Sequence, residues 1–131
     1  MKATASVNQG FLTEVNVREH SLKLSQPAPR GGDEGMTPMD ALAGSLAACK
    51  VMAARAYADH KGYALESAHA EVEVDSAALE REGKLSFKVE LKLKGNLSDE
   101  EIQRITQAVK ACHVAKVLET TNEIAQNVTR G

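Results

Sequence analysis

The sequence has few aromatic residues: two phenylalanines, two tyrosines and no tryptophan among 131 residues. Aromatic side chains normally supply much of the buried area of a core. Alanine, valine and leucine must therefore fill this one, which favours close backbone packing or additional burial in an interface. The length suits one domain, and we expect a single domain over residues 1–131.

Charge bias and long apolar runs are also missing. The 16 basic residues nearly balance the 18 acidic ones, so electrostatics gives no reason to expect nucleic acid as a partner. No run of about 18 apolar residues suggests a membrane span, and the first residues lack the apolar stretch of a secretory signal. We therefore expect a cytoplasmic protein that binds neither nucleic acid nor a membrane.

The strongest helix signal begins at Thr37, a good N-cap that is followed by Pro38 at the first helical position and by Asp40. Gly62 is a typical residue to end this helix. Residues 41–49 carry no charge, and a helix that is apolar on every face is buried on every face. One subunit of this size can hardly surround such a long helix. We therefore predict that a second copy helps to bury it.

The rest of the chain predicts short strands and two further helices. Alternating apolar and polar residues indicate half-buried strands, and Ser98 to Glu101 form a capping box that starts a second helix. A short helix follows from Val114. The predicted strands are residues 3–8, 11–17, 20–25, 68–75, 85–94 and 122–129, with residues 80–83 as the turn between the fourth and the fifth. The resulting order, βββ-α-ββ-α-α-β, is an α+β fold.

The chain has two cysteines, and they are the main candidates for chemistry. Cys49 and Cys112 lie on the core faces of the two substantial helices. They could be small core hydrophobes, or a redox pair in which one thiolate attacks an electrophile and the other thiol resolves the product. A zinc site needs three or four ligands at short spacing, and no nucleotide-binding motif is present. We therefore expect no metal and no cofactor.

Two stretches are similar to motifs of a known family. GGDEGMTPMDAL at residues 31–42, followed by AAC at residues 47–49, resembles the entry to the central helix of the OsmC/Ohr proteins, the osmotically inducible and organic hydroperoxide resistance proteins. ACHVAKVL at residues 111–118 resembles their second-cysteine motif. The resemblance covers essentially the whole chain. It implies a swapped homodimer in which two β-sheets wrap around a pair of long central helices.

The resemblance also implies an activity. Cys49 takes the place of the peroxidatic cysteine and Cys112 that of the resolving cysteine, which implies a thiol-dependent peroxidase that reduces small or organic hydroperoxides through a Cys49 sulfenic acid. A dithiol, such as a protein-bound lipoyl group, then reduces the disulfide. The alternative is a small-ligand-binding or stress protein with the same dimer fold and little or no peroxidase turnover.

The chain departs from the peroxidase pattern at two places. Met39 stands where those enzymes carry a glutamate directly after the helix-opening proline, and residues 8–10 contain no arginine after the first strand. In the family this glutamate and this arginine together place the arginine guanidinium where it stabilises the thiolate. Three other arginines are the candidates to replace it: Arg30, Arg18 and Arg55. We expect a slow peroxidase.

Overall fold

The computed structural model describes all residues from 1 to 131 and has five strands and four helices. In chain order they are β1 (Ala3–Val7), β2 (Thr13–Val17), β3 (His20–Leu24), α1 (Pro38–Lys61), β4 (Leu65–Asp75), α2 (Ala77–Glu82), β5 (Ser86–Gly95), α3 (Asp99–Val109) and α4 (His113–Leu118). The predicted α+β class is confirmed. The chain divides into two compact units, residues 1–44 and residues 45–131.

The N-terminal unit contains an antiparallel meander in the order β1-β2-β3, as the sequence predicts. Its register aligns Ala5, Val15 and Leu22 across the three strands, so apolar residues share one face of the sheet. No hydrophobic side chain of this unit is fully buried, and β1 is exposed along its whole length. The sheet therefore has an apolar face that its own unit leaves open to solvent.

The C-terminal unit contains a long antiparallel ribbon of β4 and β5. The predicted alternation is confirmed: in residues 68–75 and throughout β5 every second residue is partly buried and the residues between them are exposed. Gly95 ends β5 with a φ of 147°. A side chain at this position would collide with the carbonyl oxygen of Ala64, so the close approach of the two chain segments requires glycine.

Both predicted ends of α1 are confirmed. The Thr37 backbone N–H donates to Asp40 Oδ2 at 2.9 Å, and the Asp40 N–H donates to Thr37 Oγ1 at 3.0 Å, which is a reciprocal cap. At the other end Gly62 has a φ of 73°, and the Tyr63 N–H donates to the Ala58 carbonyl at 2.8 Å. This is the Schellman arrangement that stops a helix at glycine.

Burial of α1 is partial in the single chain. Leu46, Ala54 and Ala58 are the buried residues of this helix. Ala48, Met52 and Ala56, which follow one another at intervals of four, are exposed. Residues four apart lie on one face of a helix, so one apolar face of α1 is open to solvent.

The core of the C-terminal unit is built largely from small residues. Ala54 and Ala58 of α1 pack with Leu65 of β4 and with Ile105 and Val109 of α3 in one buried cluster. Ile105 is the largest fully buried side chain in the chain. Alanine permits a close approach of α1 and α3, which agrees with the scarcity of aromatic residues.

Two details of the predicted order differ in the structure. The short helix α2 begins before the turn predicted at residues 80–83 and takes up most of it, because Ala78 provides a buried anchor and Gly83 ends the helix in the left-handed region with a φ of 72°. The final strand predicted at residues 122–129 is not formed. A strand needs a hydrogen-bonded neighbour, and this segment pairs with none and leaves Ile124 and Val128 exposed. No helix of the chain combines the length and the apolarity that crossing a membrane requires.

Candidate thiol site

The fold brings Cys49 and Cys112 together. Cys49 lies within α1. Cys112 is the last of the three residues between α3 and α4, at the N-cap of α4, so the prediction that it lies on the second substantial helix is wrong: α3 ends at Val109 and the chain turns before Cys112. Both are free thiols, and Cys49 packs against the buried cluster that contains Cys112. Cys112 is only 5% exposed, whereas Cys49 is partly exposed. The two cysteines therefore lie in one apolar cluster, and their role as a redox pair stays a prediction.

The surroundings of the two sulfur atoms are apolar. Cys112 forms a buried cluster with Leu46 and Ala115, and Cys49 packs against this cluster together with half-buried residues of the β4–β5 ribbon and α4. Burial raises the pKa of the Cys112 thiol, and the neighbouring Cys49 raises it further. Interaction with the Ala115 backbone acts in the opposite direction and is outweighed. Cys112 is therefore protonated at neutral pH.

A lysine lies next to this thiol pair. The Lys50 ammonium donates a hydrogen bond of 2.9 Å to the carbonyl oxygen of Val109. The Cys112 backbone N–H donates to the same oxygen at 3.4 Å. The positive charge of Lys50 lowers the pKa of Cys112, although less than burial raises it. The contact between Lys50 and Val109 could not be predicted from the sequence, because it depends on the packing of α1 against α3.

A cavity of about 750 Å³ adjoins the thiol cluster. Leu46 and Ala115, which pack against Cys112, also line the cavity. Its other lining residues include Lys50, Phe87, Val89 and Leu118. A second cavity of similar volume lies beside Tyr57 and Arg104, and its lining includes no residue of the thiol cluster. The first cavity therefore shares two lining residues, Leu46 and Ala115, with the thiol cluster.

The paired cysteines and their apolar surroundings agree with a match to a protein family. The family model for OsmC-like proteins matches residues 31–127, a range that includes Cys49 and Cys112. The chain belongs to the OsmC-like family. None of the curated proteins matches it.

Solved structures show the same fold. A protein from Psychrobacter arcticus 273-4, named for osmotic stress and detoxification response, has a TM-score of 0.76 at 20% identity, over 91% of this chain and 88% of that one. The OsmC-like protein from Mycoplasma pneumoniae has a TM-score of 0.74 at 21% identity, over 90% of this chain and 86% of that one. The organic hydroperoxide resistance protein OsmC from Legionella pneumophila has a TM-score of 0.64 at 24% identity, over 91% of this chain and 90% of that one.

The three arginines singled out in the sequence make other contacts. Arg18 lies 3.9 Å from the Glu19 carboxylate, and the Arg30 guanidinium lies 6.0 Å from the centre of the Phe11 ring, both within the N-terminal unit. Arg55 forms an ion pair of 3.0 Å with Asp59 and donates to the Glu66 carbonyl at 3.0 Å. None of these contacts involves a thiol, and the role of these arginines as thiolate stabilisers stays a prediction.

Met39 occupies the position at which the OsmC/Ohr resemblance leads us to expect a glutamate. Its side chain is 46% exposed. The neighbouring carboxylate of Asp40 accepts the Thr37 backbone N–H and so caps α1. Asp40 therefore caps the helix, and this contact does not make it a substitute for the missing glutamate.

Proposed function

We propose that this protein is a thiol-dependent peroxidase that reduces organic hydroperoxides, with Cys49 as the attacking thiol and Cys112 as the resolving thiol. The observation that carries the proposal is the packing of Cys49 against the buried cluster that contains Cys112, beside a cavity lined by apolar and charged residues, in a member of the OsmC-like family. The structural relative from Legionella pneumophila is named for organic hydroperoxide resistance, which supports the same chemistry here.

Exposure supports the assignment of the two roles. A hydroperoxide must reach the attacking sulfur, and Cys49 is partly exposed whereas Cys112 is buried. Because burial raises the pKa of Cys112, this thiol stays protonated and is a poor first nucleophile, since the thiolate is the reactive form. Cys112 is better suited to react second, with a partner that is already in contact with it.

The proposed reaction has two steps. The Cys49 thiolate attacks the distal oxygen of ROOH, the O–O bond breaks, and the alkoxide takes up a proton and leaves as ROH. Cys49 becomes a sulfenic acid, so the sulfur is oxidised by two electrons and the peroxide is reduced by two. The Cys112 sulfur then attacks the Cys49 sulfur, the S–O bond breaks, and a disulfide and water are formed.

A dithiol reductant completes the proposed cycle. Thiol–disulfide exchange passes through a mixed disulfide, so a small dithiol such as a lipoyl group restores both cysteines without a metal or a bound cofactor. Two free thiols in contact are stable in a reducing compartment. We therefore propose the cytoplasm as the location and a protein-bound lipoyl group as the partner that donates the electrons.

The cavity supports an organic substrate. Phe87, Val89, Leu46 and Leu118 form the apolar part of its lining, beside several charged residues. Burying each methylene group of a substrate against them contributes about 0.8 kcal/mol. We therefore expect cumene hydroperoxide to react faster than hydrogen peroxide. Phe87→Ala should lower the preference between the two peroxides, because it removes much of the apolar wall.

Turnover with cumene hydroperoxide and dihydrolipoamide tests the proposed function. Cys49→Ser should abolish peroxide consumption, and Cys112→Ser should stop turnover after the first oxidation. Ala111→Ser, which changes an exposed neighbour of Cys112, is the matched control and should retain the activity. Full activity of Cys49→Ser would refute the assignment.

A second candidate function is that of a small-ligand-binding or stress protein with the same fold. The observation that favours it is Met39 at the position of the glutamate, together with arginines whose contacts involve no thiol. In that case an apolar ligand occupies the cavity and Cys49 forms at most a slow adduct. Saturable binding of the hydroperoxide without its consumption would support this function over the peroxidase.

We also propose that the protein forms a homodimer. The face of α1 formed by Ala48, Met52 and Ala56 is apolar and exposed, with Met52 at 69% exposure. The apolar face of the N-terminal sheet is open as well. Exposed apolar faces of this kind are usual at protein interfaces, and a second copy supplies complementary surfaces of the same composition.

A further inference from the structure

We infer that Lys50 is a positioning residue for the second step, in which it promotes the attack of Cys112 on the oxidised Cys49. The inference rests on the proposed function and adds to it a residue that acts on the resolving thiol. Lys50 directly follows Cys49 in the chain, and its ammonium donates a hydrogen bond to the backbone carbonyl of Val109 at the end of α3.

The geometry depends on one carbonyl group. Val109 is 6% exposed, and its oxygen accepts both the Lys50 ammonium and the Cys112 backbone N–H. Both donors therefore contact the same oxygen atom. The Lys50 side chain also lines the cavity that adjoins the thiols. Its charge thus lies in a partly buried position at which solvent screens it less than at the surface.

A positive charge at this position favours the thiolate form of Cys112, which the resolving step requires. Cys112 must react as a thiolate, whereas its apolar surroundings favour the neutral thiol. The charge of Lys50 favours the thiolate and has a larger effect on the Cys112 sulfur than any other lysine, arginine, aspartate or glutamate. When Cys49 becomes a sulfenic acid, Lys50 therefore increases the fraction of Cys112 that is ready to attack it.

Other charged groups also lie near the cavity. Glu82, Lys84 and Glu119 line it together with Lys50. Lys110, His113 and Lys116, on either side of Cys112 in the chain, are exposed to solvent. Screening weakens the effect of exposed charges. Lys50 is thus the cation whose removal should change the reactivity of Cys112 most.

The resolving step balances without any further reactant. Cys112–SH and Cys49–SOH give the disulfide and water, so the proton of the Cys112 thiol leaves with the hydroxyl group of the sulfenic acid. Lys50 keeps its charge throughout. It lowers the cost of the thiolate that forms before the S–S bond and supplies no atom to the products.

Alkylation of Cys112 tests the effect of Lys50 without any peroxide. In a Cys49→Ser background, iodoacetamide reacts only with Cys112, and the rate is followed against pH. We expect Lys50→Met to slow the reaction near neutral pH about tenfold, the effect of moving an opposite charge away from a thiolate. Rates at high pH should converge, because there the thiol is ionised in every variant. Lys50→Arg should recover most of the rate.

Controls separate this effect from a change in structure. Lys92→Met removes a lysine from the exposed face of β5 and should leave the alkylation rate unchanged. A loosened structure would raise the rate of Lys50→Met at high pH, where the charge no longer matters. Lys50→Gln provides a second neutral variant if Lys50→Met unfolds. Equal rates at neutral pH for the wild-type lysine and both neutral variants would overturn the inference.

A single-turnover experiment with Cys49 present tests the same inference in the reaction. After one equivalent of cumene hydroperoxide, we expect Lys50→Met to form the disulfide about tenfold more slowly and to accumulate sulfenic acid that dimedone traps. Its first step should keep the wild-type rate. An equal slowing of both steps would overturn the inference. A wild type that forms no sulfenic acid would instead overturn the proposed function, while the alkylation series still decides whether Lys50 acts on Cys112.

Discussion

The Lys50 ammonium and the Cys112 backbone amide donate to the same acceptor, the carbonyl oxygen of Val109, at 2.9 and 3.4 Å. This shared oxygen lies at the end of α3, where the chain turns towards α4. Through this oxygen, the segment that carries Cys112 is hydrogen-bonded to α1, the helix that carries Cys49. The contact between Cys49 and Cys112 therefore depends on the packing of α1 against the end of α3.

The raised pKa of Cys112 predicts a loss of stability at alkaline pH. Burial is the main reason why this pKa lies above its ordinary value of 9.0. A group whose pKa is raised by folding stabilises the fold below its unfolded-state pKa, and this contribution disappears as the pH rises through its folded-state pKa. We expect the free energy of unfolding to fall above about pH 9, and Cys112→Ala to remove part of that fall.

Urea titrations of both proteins from neutral to alkaline pH measure this difference. The comparison uses the slope of stability against pH, because Cys112→Ala also changes packing at every pH. Identical slopes above about pH 9 would contradict the raised pKa.

The core of the C-terminal unit should be sensitive at Ile105. This side chain is fully buried between α1 and α3, and replacing a buried isoleucine by alanine usually costs about 2–5 kcal/mol. Ile102 lies on the same helix and is 38% exposed. We expect Ile105→Ala to lower the free energy of unfolding by several times as much as Ile102→Ala. Equal losses in urea titrations would show that α3 packs by another face.

The helix ends could be predicted from the sequence because their signals are local. Thr37 with Asp40, and Ser98 with Glu101, each form the reciprocal cap that their spacing indicates. Gly62 has the left-handed conformation that its position at the end of α1 requires. Each of these features involves residues only a few positions apart.

The site could be predicted only in part, since its contacts join distant residues. The resemblance pairs Cys49 with Cys112, and in the structure Cys49 packs against the cluster that contains Cys112, while their chemical roles stay a prediction. No sequence pattern predicts the hydrogen bond from Lys50 to Val109, because these two residues are 59 positions apart. The predicted strand at residues 122–129 failed for a related reason: a strand needs a neighbour, and alternation alone does not provide one.

Met52 should control the proposed dimer. It is 69% exposed on the apolar face of α1, and a buried lysine without a partner at an interface is costly. We expect Met52→Lys to weaken association by at least tenfold, about 1.4 kcal/mol, in sedimentation experiments. Gln103→Lys adds the same charge at an exposed position of α3 and should have no effect. A wild type that is a folded monomer at micromolar concentration would contradict the proposal.

Met39 should limit the peroxidase rate. A carboxylate can hold a guanidinium over a thiolate, whereas a thioether accepts only weak hydrogen bonds. Loss of one such contact commonly costs about 2–4 kcal/mol of transition-state stabilisation. We expect Met39→Glu alone to change the second-order rate little, because residues 8–10 contain no arginine to meet the new charge.

A double-mutant cycle measures this coupling. Adding Gln9→Arg to Met39→Glu should accelerate the reaction with an organic hydroperoxide by more than the product of the two single effects. A fast wild type, or a cycle without coupling, would show that the protein stabilises its thiolate by other groups.

The most direct test of the proposed mechanism is the mass of the protein after one equivalent of cumene hydroperoxide, followed by peptide mapping. The account predicts a loss of two hydrogen atoms and a crosslinked peptide that joins Cys49 to Cys112, with neither product in Cys112→Ser. Only sulfinic acid on Cys49, or no change in mass, would contradict it.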